Sequence, residues 1–137
     1  MKYRFQIIPS LCIGCRTCEL ACAFSHAHDK KPGRSRIYPI AYAPDKYVPV
    51  ACLQCDDAAC VKSCLFNALR RNDETGAIEL DKERCVKCMA CVAACPFGCA
   101  LFDDVHDEVV KCDICEGTPA CVQFCPTKAL VYEKIPV

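Results

Sequence analysis

The sequence has no excess charge of either sign. Its 17 Lys and Arg residues are balanced by 17 Asp and Glu residues, so there is no electrostatic case for binding a nucleic acid or an anionic membrane surface. Long apolar runs are also missing, because no window approaches the roughly 20 apolar residues that a membrane helix requires. We therefore expect no nucleic-acid partner and no transmembrane segment.

An export signal is missing as well. Residues 1–10 lack a continuous apolar stretch after a charged start, and the first cysteine motif already begins at Cys12. We therefore expect the mature chain to begin at Met1 and to be cytoplasmic. A disulfide scaffold needs an oxidising compartment, so this absence argues against one.

The common signatures of catalysis are absent too. There is no glycine-rich nucleotide loop after a strand, no nucleophile beside a base, and no recognisable flavin or pterin site. We therefore expect a protein without substrate chemistry of its own.

Cysteine is abundant, with 17 among 137 residues. Sixteen of them fall into four motifs, and the third motif followed by Pro96 matches the bacterial ferredoxin run C-x2-C-x2-C-x3-C-P at every position. Motif one is Cys12, Cys15, Cys18 and Cys22; motif two is Cys52, Cys55, Cys60 and Cys64; motif three is Cys85, Cys88, Cys91 and Cys95; motif four is Cys112, Cys115, Cys121 and Cys125. This pattern predicts four 4Fe-4S clusters. Structural zinc, a lost cluster and a 3Fe cluster are the alternatives.

The spacing also predicts how the ligands are shared. The first three cysteines of a motif can wrap one cluster, and the fourth is expected where a short helix begins, facing the neighbouring cluster. A cluster with four cysteine ligands has no open coordination position, so it conducts electrons and binds no substrate. A redox sensor or radical-enzyme activator is the rival function, but it would need an incomplete quartet or extra chain for a pocket.

Short strands separate the motifs. Residues 3–8 and 130–132 read as single strands, while 68–70 with 77–80 and 100–102 with 108–110 read as hairpins. Residues 31–50 read as an ordered loop or extended ribbon. With helices of single turns, this pattern predicts an α+β fold of tandem ferredoxin-like units whose apo form is largely unfolded.

Three histidines and two charged runs lie outside the cysteine motifs. We interpret His26, His28 and His106 as solvated loop residues and not as ligands. The acidic run 103–108 and the basic run 30–36 read as solvated segments, with a docking surface as the sharper alternative for each.

Charges beside the ligands bear on cluster reduction. Arg84 and Lys87 flank motif three, whereas Asp56 and Asp57 follow Cys55. Because positive charge stabilises a reduced cluster, the motif-three cluster should be easier to reduce than its neighbour. The equally weighted alternative is that these side chains point into water and are screened.

Six segments carry a resemblance to a known family. They are residues 12–22, 48–60, 95–98, 111–115, 119–121 and 125–130. The chain resembles the four-cluster ferredoxin-like electron-transfer subunits of anaerobic oxidoreductases, of the dimethyl sulfoxide reductase and formate dehydrogenase type. Related subunits accompany carbon monoxide dehydrogenase, hydrogenase and tungsten aldehyde oxidoreductases.

This resemblance implies a pseudo-twofold pair of two-cluster units that relay single electrons. The partner would be a larger catalytic subunit of molybdenum or tungsten pterin, hydrogenase or carbon monoxide dehydrogenase type, with a further electron-carrier subunit beyond it. Self-association is a weaker expectation, and a free soluble polyferredoxin is the alternative.

The resemblance also favours a nested arrangement over pairing of adjacent motifs. The four ligand sets are then Cys12, Cys15, Cys18 and Cys125; Cys22, Cys112, Cys115 and Cys121; Cys52, Cys55, Cys60 and Cys95; and Cys64, Cys85, Cys88 and Cys91. Residues 1–30 and 105–137 would form the outer two-cluster unit and 45–104 the inner unit, joined by 31–44. Cys99, the seventeenth cysteine, is expected to be a buried free thiol.

Overall fold

The computed structural model describes residues 2–135, so the expected start at Met1 and the end of the outer unit lie outside the described residues. Each strand in this range belongs to a two-stranded antiparallel sheet. The sheets are β1 (Lys2–Ile7) with β8 (Leu130–Ile135), β2 (Tyr38–Ala43) with β3 (Lys46–Val50), β4 (Leu69–Arg71) with β5 (Ile78–Leu80), and β6 (Ala100–Asp103) with β7 (Glu108–Lys111). The α-helices are α1 (Thr17–Ser25), α2 (Ala59–Ser63), α3 (Ala90–Ala94) and α4 (Ala120–Phe124), and short 3-10 turns cover Pro9–Leu11 and Ile114–Gly117.

Two hairpins follow the sequence pattern. The strand pairs β4–β5 and β6–β7 lie where alternation and turn residues predicted them. In the first turn, the Asn72 side chain accepts a hydrogen bond from the Glu74 N–H at 2.9 Å, and Gly76 adopts a φ of 78°. Both features stabilise a tight turn.

The predicted α+β class is confirmed by the mixture of short strands and short helices.

The hairpin β2–β3 lies within residues 31–50, which were predicted to form an ordered loop or extended ribbon, and its two extended strands agree with the ribbon. Pro39 and Pro49 lie opposite each other in its register. Prolines usually argue against a strand, because they cannot donate to the ladder. A two-stranded ribbon has an open edge on each strand, so both prolines fit there without leaving a buried carbonyl unpaired.

The helices are placed differently from the expectation. The short helix was expected to begin at the fourth cysteine of a motif, but α3 ends at Ala94 and Cys95 follows it with extended dihedral angles, φ −70° and ψ 114°. The proline after Cys95 favours this end, because the residue before proline avoids helical geometry. The proline is not required for it, because Cys64 is also extended, with φ −81° and ψ 106°, although Leu65 follows it. Motif one has Ala23 instead of proline, and α1 continues through Cys22 to Ser25. That helix of nine residues is longer than the single turn expected.

Contacts between distant segments organise the chain. Strand β1 pairs with β8 along its whole length, with Ile7 opposite Leu130. Helix α1 lies against α4, and α2 lies against α3. The first motif therefore meets the fourth, and the second meets the third.

The buried residues are mostly small. One core cluster groups Ile37 and Leu130 with three buried cysteines, and a second groups Leu69 and Ile78 with Cys60. Large apolar side chains such as Leu65 and Phe24 are exposed. The cysteine side chains thus form much of the interior.

His106 is not the solvated residue expected from the sequence, because its side chain is only 2% exposed. Its Nδ1 lies 2.9 Å from the Asp103 carboxylate and its Nε2 lies 3.0 Å from the His28 carbonyl oxygen. A carbonyl oxygen only accepts, so both ring nitrogens donate when the ring is protonated. The His28 ring packs on His106 with centroids 3.6 Å apart.

The interpretation of the two charged runs as solvated segments is wrong at Asp103 of the acidic run and at Arg36 of the basic run. Asp103 is buried within the acidic run and also accepts a hydrogen bond from the Arg34 N–H at 3.0 Å. The Arg34 side chain donates to the Phe102 carbonyl oxygen at 2.7 Å, and Arg36 in the same basic run is buried. These contacts fasten the segment after α1 to the β6–β7 hairpin.

The His106–Asp103 pair predicts a pH-dependent stability. The Asp103 carboxylate raises the pKa of His106 above its usual value of about 6.5. Because this pKa is raised in the folded state, protonation of His106 stabilises the fold. The full contribution is present below about pH 6.5 and is lost as the pH rises through the pKa of the folded state. We expect His106→Gln to lower the melting temperature of the holoprotein most near pH 6, with a smaller difference near pH 9.

The Asp104→Asn variant is the matched control, because Asp104 is exposed on the same hairpin. His28 and Glu108, which also face His106, remain in every variant. A melting-temperature difference between wild type and His106→Gln that is constant from pH 6 to pH 9 would contradict this role of the ring charge.

Candidate iron–sulfur centres

The structure gathers sixteen cysteines into four groups. Three groups each line one cavity, and the thiols of the remaining group lie close enough to interact electrostatically. The cavities hold Cys12, Cys15, Cys18 and Cys125; Cys52, Cys55, Cys60 and Cys95; and Cys64, Cys85, Cys88 and Cys91. The remaining group is Cys22, Cys112, Cys115 and Cys121. We name these groups site 1 (with Cys12), site 2 (with Cys22), site 3 (with Cys52) and site 4 (with Cys64).

The loops of three motifs share an uncommon backbone shape. The residues directly before and after the second cysteine have positive φ angles. They are Gly14 and Arg16 (71° and 63°), Lys87 and Met89 (60° and 66°), and Ile114 and Glu116 (58° and 59°). In motif four, Cys115 itself also has a positive φ of 48°. Turns that contain left-handed residues can point successive N–H groups into a concave nest that binds anions, a feature of many iron–sulfur sites. In motif two, Gln54 has this conformation with a φ of 51°.

Burial is the main influence on the pKa of the third cysteine of each motif. Burial, with smaller contributions from the neighbouring thiols Cys12 and Cys125, raises the pKa of Cys18 to about 11. Burial also raises the pKa of Cys60 and of Cys91. Because a metal ion deprotonates a coordinating thiol outright, such closely packed thiols suit a metal cluster better than free thiolates.

The fourth cysteine of each motif has a different environment. Burial tends to raise the pKa of Cys64, but the N–H groups of Ala68 and Phe66 outweigh it and lower the pKa. The pKa of Cys95 is lowered in the same way, with Cys99 N–H the strongest donor, and N–H donors near the chain turn also lower that of Cys125. The chain that turns after each short helix therefore stabilises a negative sulfur.

The donor set and the nests fit 4Fe-4S clusters. Each of the four sites offers four motif cysteines from two motifs, which is the number of sulfurs that such a cluster takes. The cavity of site 3 is also lined by Cys99. Arg36 gives further support for a bound cluster. Its Nε is the one buried side-chain nitrogen or oxygen among residues 2–135 that has no hydrogen-bond partner. Its main-chain N–H already donates to Cys22 Sγ at 3.2 Å.

Comparison with known proteins identifies the family. Residues 44–135 match a family model described as a 4Fe-4S dicluster domain, and residues 9–25 match one described as a 4Fe-4S binding domain. The chain belongs to the 4Fe-4S dicluster-domain family.

Relatives of this dicluster-domain protein confirm the resemblance drawn from the cysteine motifs. The polyferredoxin-like subunit of an aliphatic sulfonate oxidoreductase from Pyrococcus furiosus is 41% identical, over 87% of this chain and 69% of the relative. The thiosulfate reductase electron transfer subunit PhsB of Salmonella typhi is 36% identical, over 90% and 71%. One chain of the anaerobic dimethyl sulfoxide reductase of Escherichia coli is 33% identical, over 98% and 74%. The dicluster-domain protein is thus an iron–sulfur electron-transfer protein that binds multiple 4Fe-4S clusters, and its role is not catalytic.

A solved structure confirms the fold of the dicluster-domain protein. The active-site complex BamBC of benzoyl coenzyme A reductase matches 99% of this chain and 80% of its own, with a TM-score of 0.56 and 24% identity. At this identity the likeness establishes the shared ferredoxin-like fold alone.

No helix within residues 2–135 is long and apolar enough to cross a bilayer. The longest helix of the dicluster-domain protein in this range, α1, has nine residues.

The charged side chains beside motif three follow the second of the two interpretations from sequence, because they lie at the surface. Lys87 is half-exposed and pairs with Asp107 at 2.9 Å, and Arg84 is exposed and approaches Asp81 at 3.7 Å. Each positive charge on motif three is therefore close to a carboxylate. The sequence reasoning missed Lys111 and Arg36, both buried, because a charged residue next to an apolar run does not reveal which way its side chain points.

Cys99 lies inside the cavity of site 3. It is 3% exposed, its Sγ donates to the Phe97 carbonyl oxygen at 3.5 Å, and burial raises its pKa to about 11. The expected burial is confirmed, and whether it binds metal stays a prediction. A protonated thiol with a carbonyl acceptor behaves as a small apolar side chain.

We expect Cys99→Ala to leave the iron content unchanged, because four other sulfurs of the cavity complete site 3. Iron and sulfide analysis of the anaerobically purified protein measures this. Cys95→Ala in the same cavity is the matched control and should cost about four irons. A comparable iron loss in Cys99→Ala would make Cys99 a ligand.

Proposed function

We propose that the chain holds one 4Fe-4S cluster at each of sites 1 to 4 and relays electrons as the iron–sulfur subunit of a larger oxidoreductase. When bound, each cluster supplies a one-electron carrier with a cysteine-closed coordination sphere. The observation that carries the proposal is the gathering of sixteen cysteines into four complete groups.

The order of the sites supports a relay. Cys18 of site 1 interacts with Cys121 of site 2, and Cys112 of site 2 interacts with Cys52 of site 3. Cys60 of site 3 interacts in turn with Cys91 of site 4. These interactions support a proposed line of sites in the order 1, 2, 3 and 4, with sites 1 and 4 at its ends.

The ends of this line reach the surface. Cys15 of site 1 and Cys88 of site 4 are exposed, whereas Cys121 of site 2 and Cys52 of site 3 are buried. Electrons can then enter at one end and leave at the other. This gives room for two redox partners, one at each end.

The nested pairing divides the chain into two units. We propose that residues 1–30 and 105–137 form the outer unit with sites 1 and 2, and that 45–104 form the inner unit with sites 3 and 4. Residues 31–44 connect them. The pairing of β1 with β8 and of α1 with α4 supports the outer unit, and the packing of α2 on α3 supports the inner one.

The partner at one end is proposed to be a larger catalytic oxidoreductase subunit. The named relatives from Pyrococcus furiosus, Salmonella typhi and Escherichia coli are chains or subunits of such oxidoreductases. A pterin, hydrogenase or carbon monoxide dehydrogenase type of partner, a further electron carrier at the other end and a cytoplasmic location belong to the same proposal.

Anaerobic purification from the native cells under mild conditions tests this proposal. We expect about sixteen irons and sixteen sulfides per chain from four 4Fe-4S clusters, bleaching of the visible spectrum by dithionite, and co-purification of a large catalytic subunit. A stable monomer that serves diffusing partners, with no large subunit attached, would instead favour a free polyferredoxin.

A further inference from the structure

Lys111 ends strand β7 and directly precedes Cys112 of site 2, yet its side chain reaches site 3. The side chain lines the cavity formed by Cys52, Cys55, Cys60 and Cys95. Its Nζ donates to Cys52 Sγ at 2.7 Å. Lys111 thus places a positive charge directly on a sulfur of site 3.

This lysine is unusual in its burial and in its partner. It is 8% exposed, and among residues 2–135 no carboxylate forms an ion pair with it. By contrast, Lys62, Lys82 and Lys87 are all exposed and each pairs with an acidic side chain.

A buried cation is costly unless a negative group compensates it. At Lys111 the compensating atoms are the sulfurs of site 3, and its charge also acts on Cys60 and Cys112. The positive charge of Lys111 therefore acts on thiols of sites 2 and 3, and its burial reduces screening by solvent.

We propose that Lys111 is a positioning residue that raises the reduction potential of the cluster held at site 3. Reduction adds one electron from the redox partner and makes the cluster one charge more negative. A fixed positive charge and a hydrogen bond at Cys52 stabilise that product more than the oxidised form. Lys111 itself exchanges neither an atom nor an electron.

The proposal rests on the proposed ligation of site 3 and reverses the order expected from sequence. The charges at motif three, Arg84 and Lys87, are exposed beside carboxylates, whereas site 3 has a buried lysine. Site 3 should therefore be easier to reduce than site 4.

The test is a redox titration of the holoprotein, followed by electron paramagnetic resonance, in wild type, Lys111→Met, Lys111→Gln and Lys111→Arg. In Lys111→Met, one midpoint should fall so that the reduced-to-oxidised ratio at the wild-type midpoint drops about tenfold, which is about 59 mV for a one-electron couple. Lys111→Gln, which keeps a donor but loses the charge, should shift the same midpoint. Lys111→Arg should stay near wild type, and so should the control Lys82→Met, because Lys82 is exposed and lies outside the cysteine motifs.

Unchanged midpoints in Lys111→Met or Lys111→Gln with full iron content would overturn the role of Lys111. Loss of about four irons in both variants, but not in Lys111→Arg, would also overturn it by showing that Lys111 is needed for assembly. Failure of the ligand assignment looks different, because Cys52→Ser would then leave the shifted signal unaltered or wild type would contain far fewer than about sixteen irons.

Discussion

Replacing Cys125 with Ser is expected to remove or strongly perturb the cluster bound by Cys12, Cys15 and Cys18. The structure places Cys125 in the same cavity as these three cysteines, although it lies at the opposite end of the sequence. Main-chain N–H groups near the turn after α4 stabilise its negative sulfur, and a serine hydroxyl offers a far weaker anionic ligand. Iron analysis should show a loss of up to about four irons.

Spectroscopy of the same variant tests the pairing of motifs. The signal altered in Cys125→Ser should be the one altered in Cys12→Ser, while the signal altered in Cys88→Ser should remain. Cys95→Ser is the matched control, because it also precedes a proline but lies in site 3. If Cys125→Ser instead changed the signal that depends on Cys85 or Cys88, the nested arrangement would be wrong.

Removal of iron is expected to unfold most of the chain. Among residues 2–135, few large side chains are fully buried, and the largest of them are Ile78, Leu130, Val110 and Asp103. Two-stranded sheets and five-residue helices such as α2 are marginal without packing. Metal binding would then supply a large part of the folding free energy, as in other small metal-dependent domains.

Chelation under anaerobic, reducing conditions measures this dependence. Circular dichroism should lose most of its secondary-structure signal, and the hydrodynamic radius should increase as the iron is removed. The matched control is the same treatment without chelator, which separates iron loss from thiol chemistry. An apo protein that kept a compact radius and its circular dichroism would show that the apolar core suffices.

The local elements could be predicted because their signals are local. The hairpins β4–β5 and β6–β7 follow from alternation and turn residues within a few positions. For β2–β3 the sequence left a loop and an extended ribbon both open, because Pro39 and Pro49 mask the strand pattern. The helix boundary at motif three escaped prediction because the dihedral restriction before Pro96 ends a helix ahead of Cys95 and does not start one there.

The side chains that depend on distant contacts were the least predictable. His106 reads as exposed in an acidic turn, yet Asp103 and the His28 carbonyl bury it. Lys111 reads as one charge beside a ligand, but it contacts Cys52 of another motif. No periodicity within either segment indicates these partners.

The sequence by itself determined the chemistry of this protein, because the number, spacing and type of the cysteines are local properties that specify an iron–sulfur electron carrier. The resemblance favoured the nested order of the motifs, but only the tertiary structure shows which elements lie in contact and where a buried cation touches a sulfur. The pairing of β1 with β8 brings the first and last motifs together, and the path of β7 carries Lys111 from its own motif to Cys52. Such contacts join residues that are far apart in the chain, so they depend on packing and not on spacing.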